Sequence, residues 1–277
     1  MKLYVSCDME GTAGVCSWMQ CDPSNTVEYP IYRRYMSQEV RAAIDGARAG
    51  GATDVLVNDS HWDMRNLLWD ELPSDVRVIS GSRKPFSMAE GIDRGFAGAF
   101  FTGYHAKVGD ENGALAHTYT ADVLYNVRVN GIACSEALFN AAMAGYHGIP
   151  VLLVSGDRTI VEDVRTHMPW VAGVIVKESI GHYATDSLTP RSAQNAIRAA
   201  AREAMLHAAD AKPFVFEPPI VMELETTRVE QADFIELMPG FERIGGRTLR
   251  FAHDDYATIF RAFVAAFRLG GAATAVA

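Results

Sequence analysis

Cysteine is scarce. Four residues in 277 (Cys7, Cys16, Cys21, Cys134) do not resemble the disulfide framework of a small secreted domain. Basic runs are missing as well: Asp plus Glu number 34 against 25 Lys plus Arg, a formal net charge of −9. Phosphate contacts need clustered cations, so a nucleic-acid partner is excluded. No uncharged apolar run reaches the ~20 residues of a bilayer crossing; the most apolar stretch, 259–277, carries Arg261 and Arg268. The first strand-like run meets Asp8 within seven residues, too soon for a secretory apolar region. Gly11-Thr12-Ala13-Gly14 follows it without G-x-G-x-x-G spacing or a Walker lysine, so a phosphate loop is rejected. Repeats and low-complexity segments are not evident. What remains is 49% apolar and 21% charged, an ordinary globular balance. The expectation is a cytoplasmic chain with no nucleic-acid and no membrane partner.

Short β-branched and aromatic runs alternate with helical stretches, which argues for α/β layering. Strands are expected at 3–7, 54–58, 76–80 and 99–103. Between the first two, apolar residues recur at three and four over 31–49 (Tyr32, Tyr35, Met36, Val40, Ala43, Ile44, Ala47) until Gly50-Gly51. That helix makes a natural crossover between parallel strands. Asn130-Gly131 separates 125–129 from 132–134 and predicts a hairpin, since Asn-Gly tolerates positive φ twice. Ser135 then caps a helix to about residue 146. Strands at 151–154 and 173–176 and an Ala-rich helix over 193–209 follow. After Lys212 three prolines (Pro213, Pro218, Pro219) flank an extended stretch, 220–227; helix 229–237, strand 248–252 and helix 255–269 end the chain. The expected fold is α/β: a mainly parallel sheet with flanking helices over 1–212, plus a smaller α+β domain over 213–277.

Parallel sheets bind ligands beyond the carboxyl ends of their strands. Asp8 and Glu10 stand just past the first strand, Asp59 and His61 past the second, His105 past the fourth, and Glu136 at the start of the helix after the hairpin. Imidazole with carboxylate and no thiolate suits zinc or another first-row divalent metal. The number of ligands exceeds what one tetrahedral zinc needs, and two metals sharing a carboxylate are the usual solution for hydrolysis. Asp8 and Glu10, two apart on extended backbone, share one side, and Asp8 is the best bridge. Taken singly, each has a plainer reading: a loop histidine, an Asx turn, a glutamate facing the helix dipole. His117, twelve residues past His105, reads either as an acid/base group or as a half-buried strand histidine. Cys134, before a helix, is more simply a buried hydrophobe than a nucleophile. Lys84 reads as a cleft-wall residue without a role.

These residues resemble the DppA-type D-aminopeptidases, a family of dinuclear zinc peptidases. The match runs through Asp8-Met9-Glu10-Gly11, Asn58-Asp59-Ser60-His61, Lys84-Pro85-Phe86-Ser87-Met88, Gly103-Tyr104-His105-Ala106, His117 and Glu136 to Tyr146. It is close over the first 160 residues, apart from 12–28, and looser beyond. The resemblance implies that Asp8, Glu10, His61, His105 and Glu136 hold two zinc ions with Asp8 bridging, and that His117 is catalytic. It also implies a cytoplasmic homodecamer acting on small peptides. The expected function is therefore removal of an N-terminal residue, a D-amino acid by resemblance, from short peptides or amides by a water that two zincs activate. The alternatives are a two-metal phosphoesterase, which would want Arg83 or Lys84 at the metals, and a non-catalytic ring-forming metal-binding protein.

Overall fold

Alternation along the first strand sets the layers: Leu3, Val5 and Cys7 are buried on one face and Tyr4 on the other, as a side-chain period of two requires. In the computed structural model, which describes residues 1–273, this strand is β1 (Lys2–Cys7). The last four residues of the apolar stretch 259–277, and of the expected unit 213–277, lie outside the described residues. There follow α1 (Trp18–Cys21), α2 (Tyr29–Ala49), β2 (Asp54–Asp59), β3 (Arg77–Ile79), β4 (Gly98–Tyr104), β5 (Leu124–Val129) and β6 (Ile132–Ala133). Then come α3 (Glu136–Tyr146), β7 (Val151–Asp157), α4 (Arg158–His167), β8 (Ala172–Gly181), β9 (Ala184–Ser187) and α5 (Pro190–Leu206). The chain ends with β10 (Ile220–Thr226), α6 (Val229–Glu236), β11 (Glu242–Arg243), β12 (Thr248–His253) and α7 (Tyr256–Ala273).

The first sheet has the order β3-β2-β1-β4-β7-β8-β9 and is parallel except for its edge strand β9. The mainly parallel α/β expectation holds. Strand order reverses at β1: the chain steps outward through β2 and β3, then returns to lay β4 on the other side of β1. Such a switch point opens a crevice at the carboxyl ends. Register brings those ends level, with Cys7 opposite Asp59 on one side and Thr102 on the other.

The Asn130-Gly131 turn forms with both residues at positive φ, and its hairpin joins a second, antiparallel sheet, β11-β12-β10-β5-β6. That sheet draws β5 and β6 from before residue 212 and its other strands from after it. Helices α2 and α5 cover one face of the parallel sheet. On the other face, α3, α4 and α7 pack with the second sheet, and Phe139, Phe260 and Phe263 are fully buried among them. The phenylalanines of the C-terminal helix are thus core. No described helix is long and apolar enough to cross a membrane.

Candidate metal centre

Three strand ends supply the centre: Asp8 and Glu10 follow β1, His61 follows β2 and His105 follows β4. The segment after His105 brings back His117, and Glu136 opens α3 behind its cap, where Ser135 Oγ accepts the Leu138 N–H. The turns after β1 and β4 cross closely. Asp8 N–H donates to Thr102 O and Gly11 N–H to Gly103 O, each at 2.8 Å. A Cβ on Gly11 would sit 1.8 Å from Tyr104 O, and one on Gly103 (φ +70°) would sit 2.1 Å from Asp8 O. Only glycine permits both turns at this spacing.

All five expected ligands are buried, and His117 is 8% exposed. Each histidine has one ring nitrogen on a backbone carbonyl at 2.9 Å: His61 Nε2 on Cys21 O, His105 Nδ1 on Ala106 O, His117 Nδ1 on Leu115 O. A carbonyl only accepts, so that nitrogen carries the proton, and in a neutral ring the other presents its lone pair. Those second nitrogens face carboxylates. His61 Nδ1 lies 2.9 Å from Glu10 Oε2 and 3.3 Å from Asp8 Oδ1. His105 Nε2 lies 3.4 Å from both Asp8 Oδ2 and Glu136 Oε1, and His117 Nε2 lies 3.7 Å from Glu136 Oε1. Asp8 therefore turns one oxygen to each of two imidazoles.

Lone pairs set against lone pairs in a buried space call for positive charge between them. Asp8 Oδ2, Glu10 Oε2 and His105 Nε2 are buried with no hydrogen-bond partner among the described residues. Candidate ligand atoms gather within 4.8 Å of one another in three groups: Asp8-Glu10-His105, Glu10-Cys21-His61 and His105-His117-Glu136. Hard carboxylate and borderline imidazole donors, each imidazole oriented by a main-chain acceptor, fit a first-row divalent ion. With protons alone, burial opposes charge on His61 and His105, but Glu10 and Asp8 beside the first, and Glu136 and Asp8 beside the second, hold both pKa values well above the ordinary range. His117 moves the opposite way. Burial, then the charge of His105, lowers its pKa, so it favours the neutral ring. It stacks on His105 at 4.2 Å and meets the Trp18 ring edge-on at 5.1 Å.

Other residues act as supports. Lys177, buried on β8, donates to the carbonyls of Glu10, Thr12 (3.3 Å) and Val15 (2.7 Å), tying down the turn that bears Glu10. Asp59, weighed as a ligand from sequence, instead accepts from Asn66 N–H, Asn66 Nδ2 and Leu67 N–H at 2.6–2.8 Å and folds the loop after His61. Lys84 places Nζ on Asn58 Oδ1 (2.6 Å) and Asp59 O (2.7 Å), and burial lowers its pKa to about 8. Cys134 is buried, and that burial pushes its thiol up to about 12, which disfavours the thiolate a nucleophile needs. Sequence gave no role to Lys177, Trp18 or Cys21. Each lies far along the chain from the site residue it touches (Glu10, His117 and His61 in turn), and no local spacing marks it. A cavity of about 730 Å³ opens over the centre, reached by Asp8, Glu10, His61, His117 and Glu136.

A buried carboxylate–imidazole cluster under an open cavity, at the switch point of a parallel sheet, defines an α/β protein with the donor set of a two-metal hydrolase. The family model for D-aminopeptidase (peptidase family M55) matches residues 1–265, and the chain belongs to that family. It is 35% identical over 268 residues to the D-aminopeptidase of Bacillus subtilis (strain 168), covering 95% of this chain and 96% of that protein. It also resembles the solved structure of the Zn-dependent D-aminopeptidase DppA from Bacillus subtilis, a self-compartmentalizing protease. That likeness has a TM-score of 0.93 and 33% identity, over 98% of each chain.

Proposed function

We propose that this chain is a two-zinc aminopeptidase that removes the N-terminal residue, preferentially a D-amino acid, from short peptides. The observation that carries the reading is the common posture of His61, His105 and His117: one nitrogen on a carbonyl, the other turned to a carboxylate inside the cavity. Asp8, Glu10, His61, His105 and Glu136 would hold the two ions, Asp8 between them. Bound zinc supplies Lewis acidity, which lowers the pKa of water from 15.7 to about 7 and polarises a carbonyl oxygen. The carboxylates around the centre favour a substrate's free ammonium group. His117, neutral and with its Nδ1 proton held by Leu115 O, has only Nε2 free to move a proton to or from the leaving amine. The stack on His105 and the Trp18 edge fix that ring in place.

A phosphoesterase would want cations against the metals. Lys84 spends its ammonium on Asn58 and Asp59 instead, and Arg83 lines the adjoining chamber and not the cavity over the centre. A purely structural metal site is closed by four protein ligands, whereas a large cavity opens here. Two further parts of the reading rest on relatives and chemistry: assembly into a homodecamer, supported by the self-compartmentalizing relative, and a cytoplasmic location, supported by four free cysteines.

The test is hydrolysis of matched D- and L-aminoacyl amides before chelation, after it, and after zinc return. D-selective activity that disappears and returns, with about two metals per chain by elemental analysis, is expected. A metal-free active protein would end the reading.

A further inference from the structure

We propose that Arg268, with Arg83 and Arg261 beside it, receives the C-terminal carboxylate of the substrate, so that the enzyme selects very short peptides with a free carboxyl end. This rests on the aminopeptidase reading above. The cavity over the metal centre is lined by six carboxylates (Asp8, Glu10, Asp22, Asp63, Asp122, Glu136) and by one Lys or Arg, Arg268. Ser87 and Arg268 also line an adjoining chamber of about 280 Å³, whose other charged residues are Arg83, Lys84 and Arg261, with no carboxylate. The metal cavity is therefore rich in carboxylate, and the chamber that shares Arg268 with it has only cations among its charged residues. A substrate with an ammonium at its first residue and a carboxylate at its last matches that polarity only when it is short.

The cations differ in how committed they are. Lys84 is bound to Asn58 and Asp59. Arg261 donates Nε to Ala257 O and lies over the Phe86 ring. Arg268 rests over the Phe267 ring at 5.0 Å, and among the described residues neither it nor Arg83 has a carboxylate partner. Partial burial and the nearby charge of Arg83 lower the pKa of Arg268. Two guanidiniums facing one chamber repel each other, and an incoming carboxylate relieves both. A planar guanidinium can meet it with two parallel hydrogen bonds.

The experiment compares a D-aminoacyl-glycine with its C-terminal amide on the zinc-loaded protein. The wild type is expected to favour the free acid. Arg268→Gln should lower the acid-to-amide ratio of kcat/KM by roughly 10-fold or more, the usual scale of a charge-assisted pair, and chiefly through KM. Arg268→Lys should recover part of that preference, and Arg83→Gln should show a smaller drop. A folded, active Arg268→Gln protein with the wild-type ratio overturns the proposal, as does a wild type that prefers the amide. If Arg268→Gln does not fold, an unchanged ratio in both Arg268→Lys and Arg83→Gln overturns it equally. A zinc-loaded wild type that releases no amino acid from either substrate instead removes the aminopeptidase reading, and this proposal with it.

Discussion

At the carboxyl edge of the parallel sheet, the charged side chains that support the centre are buried and tied to main-chain groups; on the antiparallel sheet, charged side chains pair with one another in view of solvent. Lys177 meets three carbonyls, Asp59 meets two backbone N–H groups, and Asp157 takes the N–H groups of Ala106 and Ile160, each at 2.9 Å. Glu223 pairs with Arg250 across β10 and β12 (3.1 Å), and Glu225 pairs with Arg247 just before β12 (2.9 Å), with side chains between 29% and 43% exposed. Burial strengthens each polar contact and raises the penalty for losing one partner. Exposed pairs are screened and contribute roughly 0–1 kcal/mol. Ionic contacts in the two regions look alike and differ severalfold in worth.

Lys177→Met should give the largest loss of stability. It takes the buried donor away from the carbonyls of Glu10, Thr12 and Val15 and removes a cation near Asp157 and Glu39. The expected cost is roughly 3–5 kcal/mol by urea denaturation, together with weaker zinc binding in a competition titration because the Glu10 turn is released. A loss below 1 kcal/mol would erase the contrast between the regions.

His117→Ala probes the same edge for chemistry. Turnover should fall by roughly 100-fold or more while metal content and melting temperature hold. Loss of metal would make His117 a ligand, and unchanged turnover would take it out of the reaction.

Glu39 sharpens the comparison through pH. Burial raises its pKa from 4.5 to about 7, although the Ala13 N–H and Lys177 oppose the shift. Below pH 4.5 the carboxyl is protonated whether folded or unfolded, and it imposes no penalty. As pH rises from about 4.5 to about 7 the unfolded chain gives up the proton first, so stability falls, by up to about 3 kcal/mol once both forms are ionised. Glu39→Gln should therefore match the wild type at pH 4.5 and exceed it at pH 8, read from urea midpoints at the two values.

Arg250→Gln on the second sheet should change stability by no more than about 1 kcal/mol. A larger effect would mean that this surface is covered in the assembled protein.

Legibility in the sequence divides along the same line. Strand ends show wherever a β-branched run stops at polar residues, so Asp8, Glu10, His61 and His105 stood out as a set. The Asn-Gly turn and the Ser135 cap are local chemistry and formed as expected. Where the hairpin would pair was not legible, because Met222 opposite Val129 is a contact between residues far apart in the chain. Lys177 was invisible for a similar reason: a lysine in a strand reads as solvent-facing until Glu10, 167 residues earlier, is folded against it. Asp59 misled because a carboxylate after a strand serves a loop as readily as a metal.

The carbonyls that orient the three histidines belong to Cys21, Ala106 and Leu115, and they are main-chain atoms. No side-chain replacement at those positions deletes them. The choice of which nitrogen each ring offers, Nδ1 from His61 but Nε2 from His105 and His117, is therefore written in the course of the backbone. Side chains in these loops can drift over evolutionary time, and an engineer can recut the pocket walls at those positions, without rewriting the tautomers. What the centre inherits most securely is the path of its chain.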